Sequence, residues 1–147
     1  LAIRRKWLYA VLAWLALVIA SVTAMTLYDD APERLRSMLK IKELPASVKN
    51  IKCSDTFVTT DILATCGFEV EPDDMISMLV GWRFSGEKAG RNTRSEDYTN
   101  DDHTNFTPFK ADYVYRADDD QFAPAGGHLI VVTDEDRRNA LVDLYIE

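Results

Sequence analysis

The sequence predicts an α+β protein: an N-terminal transmembrane helix, then a small antiparallel sheet of about five strands in the order α-β-β-α-loop-β-β-β, with helices on one face. Three observations carry this. Residues 7–28 form an uncharged apolar run. Two short stretches carry apolar residues at helical spacing. Five stretches alternate apolar and polar residues, or are rich in β-branched residues.

The apolar run has 22 residues, and as a helix it is about 33 Å long against a hydrocarbon core of about 30 Å. Arg4, Arg5 and Lys6 precede it, and Asp29 and Asp30 follow it. The positive-inside bias therefore puts the N-terminus in the cytoplasm and the rest outside. Trp7, Tyr9 and Tyr28 stand at the two ends, where amphipathic rings favour the interface. A cleaved signal peptide is the competing reading, with Val22, Thr23 and Ala24 before the cut. The run continues through Met25–Tyr28, which favours an uncleaved anchor. Ala16, Ala20 and Ala24 share one helical face and could let a second membrane helix approach closely. The expected division is a single-pass anchor over residues 1–28 of a bacterial inner membrane, with an exported domain over 29–147 in the periplasm.

In the exported domain, Asp30 and Pro32 signal a helix start, and residues 33–42 place Leu35, Met38, Leu39 and Lys42 on one stripe. Pro45 is the expected stop. Residues 48–57 and 61–70 read as a hairpin about Thr59 and Thr60, with facing residue numbers summing to 119. Ile51 then faces Phe68, Cys53 faces Cys66, and Phe57 faces Ile62. Cys53 and Cys66 fall at a non-hydrogen-bonded pair, where the Cα atoms approach to about 4.5 Å. That distance allows a disulfide, and export puts the thiols where one persists. Pro72 opens a second helix, with Met75, Met78, Leu79 and Trp82 on its apolar stripe and Gly81 as its breaker. Residues 85–107 are polar without periodicity and read as a mobile loop. Residues 111–117, 128–133 and 140–146 complete an antiparallel meander. The element order is similar to that of PAS-like sensor folds, in which a hairpin, helices and three strands make one sheet. The similarity is one of order and carries no motif.

Charge excludes some functions. Residues 29–147 hold all 24 acidic residues and 14 of the 17 basic ones, a net charge of −10. Such a surface repels nucleic acid and suits a basic protein partner. The basic residues of the long loop, Lys88, Arg91 and Arg94, are interspersed with acids and form no nucleic-acid patch. Acids gather at Glu96, Asp97, Asp101 and Asp102 beside His103, and again at Asp118–Asp120, but neither run has the spacing of a calcium loop. No metal or cofactor is expected. His103 and His128 are the two histidines, and no nucleophile motif accompanies them. The expectation is therefore a non-catalytic, membrane-anchored periplasmic protein-interaction domain, such as an immunity protein or an accessory subunit of a membrane complex. Its partner-binding candidates are Glu96, Asp97, Tyr98, Asp101, Asp102, His103 and Phe106 of the long loop. The alternative is a membrane-anchored sensory or small-ligand-binding domain, marked by an apolar cavity between Met75, Met78, Trp82 and the sheet. Carboxylates converging on His103 or His128 would instead mark an enzyme.

Overall fold

A computed structural model describes Val11 and residues 14–16, 30–58, 61–99 and 105–147, with the backbone alone for 55–58. The chain divides into two units, Leu1–Asp30 and Ala31–Glu147. In the first, Val11 and residues 14–16 are helical and exposed. Among the described residues no helix is long and apolar enough to cross a membrane. Most of the run 7–28, with Ala20 and Ala24, lies outside the described residues.

The second unit is a six-stranded antiparallel sheet with two short helices. Helix α1 spans Ala31–Met38. Its last turn closes with Lys40 in the left-handed region, φ 52°. The Ile41 amide donates to the Arg36 carbonyl at 3.2 Å, and the Lys40 amide to that of Ser37 at 3.1 Å. This pair of bonds is the Schellman closure, with lysine where glycine is usual. The helix thus ends before Lys42 and well before Pro45, shorter than the apolar stripe implied. The stripe itself is buried: Leu35, Met38 and Leu39 all lie in the core.

Strands β1 (Lys49–Val58) and β2 (Asp61–Glu69) form the expected hairpin. Val58 faces Asp61, Phe57 faces Ile62 and Cys53 faces Cys66, so the numbers sum to 119. A disulfide joins Cys53 and Cys66, with the Cα atoms 4.1 Å apart. Beyond Lys52 the register slips: Lys49 faces Glu69, and Asn50 takes a φ of 52°. The expected Ile51–Phe68 pairing is therefore lost to a β-bulge. Helix α2 (Pro72–Ser77) follows, with Met75, Met78 and Trp82 buried as the stripe implied.

The long loop is the main correction. Strand β3 (Phe84–Lys88) lies at its start and pairs with β4 (Tyr113–Ala117). β3 carries no apolar alternation and exposes most of its side chains, as an edge strand can. After β3, Ala89 bonds Asp112, Ser95 bonds Phe109, and Arg94 bridges Lys110. A single 3₁₀ turn, Ser95–Tyr98, sits within this segment. β5 (Gly127–Thr133) and β6 (Asn139–Ile146) complete the sheet, whose order is β1-β2-β6-β5-β4-β3.

Both faces of the sheet are covered. α1 and α2 bury one face, where Leu35, Leu39, Met75 and Met78 pack with Cys66, Phe68, Val131 and Val142. Residues 89–99 and 105–111 cover part of the other, where Ala111, Val114 and Val132 are buried with Tyr98 and Phe109 against them. The helices do lie on one face, as expected; irregular chain covers the second.

Candidate functional site

Two places in the domain concentrate chemistry. The first is a cleft of about 560 Å³ on the helical face. Its floor is the end of β2 and β6, where Ile62 faces Ile146 and Ala64 faces Leu144. Met38 of α1 forms one wall, and Trp82 with Phe122 forms another. The Trp82 and Phe122 rings stack at 4.9 Å. Trp82 is held from behind, its indole N–H donating to the Met38 carbonyl at 2.9 Å. Gly81 permits that docking, because a Cβ there would stand 1.9 Å from the Leu39 carbonyl oxygen. At the rim are Arg34, Lys40, Ser37 and Gln121. The Lys40 ammonium lies 3.4 Å from the centre of the Trp82 ring. Ile62 is 42% exposed within the opening.

Beside the cleft, Arg83 reaches Asp118 at 3.2 Å and also binds Asp120. The hydrogen bonds that Arg83 donates to Asp120, and then to Asp118, raise its guanidinium above its ordinary value. Gln121 is fixed as well: its Oε1 accepts from the Arg83 amide at 2.9 Å, and its Nε2 donates to the Arg83 carbonyl at 3.0 Å.

The second place lies on the opposite face. Asp143 is 0% exposed. Its Oδ1 accepts from the Thr65 hydroxyl at 2.7 Å and the Thr99 hydroxyl at 2.8 Å. Its Oδ2 lies 3.0 Å from His128 Nε2. Cross-strand register builds the group: Thr65 faces Asp143, while His128 faces Tyr145 one pair along. The Tyr145 phenol is raised, first by burial and then by the Asp61 carboxylate, to which it donates at 3.3 Å. One carboxylate therefore meets His128. The threonine hydroxyls, however, are bound to that carboxylate and not to the imidazole. Among the described residues these contacts converge on the buried carboxyl group and satisfy its hydrogen-bonding capacity.

The partner-binding candidates scatter. Asp97 accepts from the Arg94 amide at 2.7 Å and caps its own turn. Glu96 pairs with Arg94 at 3.1 Å. Tyr98 packs on the covered face near Thr93. Phe106 lies over Gly67, where a Cβ would fall 2.2 Å from its ring, and meets Phe109 edge-on. Asp101, Asp102 and His103 lie outside the described residues. Of the four described candidates, Glu96 and Asp97 are exposed and Tyr98 and Phe106 are half-buried. Among the described residues no group of three or more His, Cys, Asp or Glu could hold a metal ion.

Sequence reasoning anticipated a cavity between Trp82 and the sheet and a carboxylate at His128, but not the walls from Met38 and Phe122 or the threonines at Asp143. The cleft draws on five separated stretches, which no local pattern joins. The Asp143 group did leave a trace: Leu141 and Tyr145 are apolar on the parity opposite to Ala140, Val142 and Leu144. A strand apolar on both parities is one covered on both faces. No family model, no curated protein and no solved structure matches the chain.

Proposed function

We propose that the chain is a single-pass, membrane-anchored, non-catalytic binding domain of the bacterial periplasm, which takes a small ligand in the cleft between α1 and the ends of β2 and β6. One observation carries the reading. The cleft is concave, of ligand size, and lined chiefly by apolar and aromatic side chains with a few polar groups at its rim. The sequence supports the anchor through residues 7–28 and the flanking charges. The cleft meets the sheet and Trp82, though Met75 and Met78 lie in the core rather than on its walls.

Trp82 on the wall provides the test. In the full chain carrying Trp7→Phe and Trp14→Phe, held in lipid nanodiscs, Trp82 should transfer energy to added anilinonaphthalene sulfonate in a saturable way. Ile62→Glu, at an exposed position of the floor, should abolish the saturable part. Transfer that rises linearly and equally in both proteins, as for dye dissolved in lipid, would rule the cleft out as a site.

The second reading is a protein-interaction domain with a basic partner, an immunity protein or a subunit of a membrane complex. It is favoured by the net charge of −10 over residues 29–147 and by the exposed pair Ile76 and Val80. Recovery of one stoichiometric protein with the chain, under gentle extraction, supports it.

A further inference from the structure

We infer that the ligand of this cleft is a single-chain anionic amphiphile drawn from the membrane, its acyl chain on the floor and its head group at Lys40. The inference rests on the ligand-binding reading above and specifies the ligand's chemistry.

The first support is charge. The chain has a net charge of −7, yet the cleft is lined by two cations, Arg34 and Lys40, and by no acid. The nearby acids Asp118 and Asp120 are engaged by Arg83. Lys40 is different: its ammonium rests on the Trp82 face, and among the described residues no carboxylate pairs with it. A ring attracts a cation through its quadrupole and leaves the full positive charge in place for an anion.

Shape is the second support. The floor is made of facing pairs, Ile62 with Ile146 and Ala64 with Leu144, on adjacent strands about 4.8 Å apart. The floor is thus two adjacent rows of apolar side chains running along the strands. Met38 and Phe122 flank it with flexible and aromatic apolar surface, and three of its four polar lining residues, Arg34, Ser37 and Lys40, belong to α1 and its closing turn. An apolar body with one anionic end matches this division. Topology supplies the source. Both cations belong to α1 and its closing turn, which follow the apolar run 7–28 after Asp29 and Asp30 in the sequence.

The test uses the full chain in phosphatidylcholine vesicles containing a diazirine-bearing hexadecanoic acid. The matching diazirine alcohol is the neutral control. Lys40→Asn is the chosen variant, because asparagine tolerates the φ of 52° and removes the charge; the neutral alcohol reports what the shorter side chain costs by itself. On irradiation the acid should label peptides containing Met38, Ile62–Ala64 or Leu144–Ile146, besides residues 7–28. Lys40→Asn should lower the cleft labelling about tenfold, equivalent to about 1.4 kcal/mol, and leave that of 7–28 unchanged. The alcohol should label the cleft at the variant's level. Equal cleft labelling by acid and alcohol, insensitive to Lys40→Asn, would overturn the anionic head while leaving the binding reading standing. Labelling confined to 7–28 would overturn the amphiphile altogether, and saturable transfer from Trp82 would then show a site for some other ligand.

Discussion

At the scale of single residues, Asp143 is the most constrained group on the sheet's second face. It is fully buried, takes hydrogen bonds from Thr65 and Thr99, and lies 3.0 Å from His128 Nε2. Asp143→Ala removes the carboxylate that accepts from both hydroxyls, one of them on a fully buried threonine. We expect a loss of about 3 kcal/mol, read by urea denaturation of the full chain, with no loss of cleft binding. Thr133 is the opposite case. Its hydroxyl is buried and has no partner among the described residues. Thr133→Val removes that unmet polar group at constant shape, and should stabilise by about 1 kcal/mol. A fall in stability would mean that the hydroxyl is bonded after all. Neither role was legible in the sequence. Asp143 reads there as an outward-facing polar residue of an alternating strand, because nothing in a period of two reports that Thr99 lies over it.

At the scale of elements, the hairpin and the meander were legible and the cover was not. The cysteines reinforced a period of two that β1 and β2 already showed, so the register up to Lys52 followed from arithmetic. The slip beyond it depends on the single left-handed residue Asn50, which has no periodic signature. β3 was hidden because five residues, FSGEK, at a sheet edge need bury little. The segment after it is held by dispersed contacts, from Ala89, Tyr98, Phe109 and Ala111, at no helical or strand spacing. Gly67 gives a handle on it. Gly67→Ala places a methyl group into the Phe106 ring and should free residues 105–109. Faster trypsin cleavage at Arg91 and Arg94 would show this; unchanged cleavage would mean the segment is held elsewhere.

The disulfide belongs to the same scale. It closes a separation of 13 residues, for which chain entropy gives about 3 kcal/mol. It also seats α1: the Cys53 sulfur lies 3.7 Å from the Ala31 carbonyl oxygen, and the Cys66 sulfur lies 3.5 Å from the Met38 sulfur. Reduction should therefore lower stability by about 3 kcal/mol and weaken the saturable transfer from Trp82, since Met38 walls the cleft. Reduction that lowers stability but leaves the transfer intact would show that α1 keeps its seat without the bridge.

For the whole molecule, the division of labour is between an apolar N-terminal run and an acidic α+β domain. The anchor reading predicts that the chain stays with membranes through alkaline carbonate washing. It also predicts that alkaline phosphatase fused at the C-terminus is active. An active cytoplasmic reporter at that end would reverse the orientation. The architecture was largely readable from the sequence, since it follows from the period of each element. The cleft was readable only in part. It exists only where the end of α1, the β2–β6 pair, Trp82 and the Phe122 turn meet, and these stretches are far apart in the chain.

The central claim is that this cleft holds a ligand. It is tested most directly by native mass spectrometry of the full chain, released from its membranes in polymer-bounded lipid discs and compared with Lys40→Asn and Ile62→Glu. The account predicts one small molecule retained at one per chain by the wild type and lost from both variants. Identical bound species in all three proteins, or a stoichiometric protein partner with no small molecule, would contradict it.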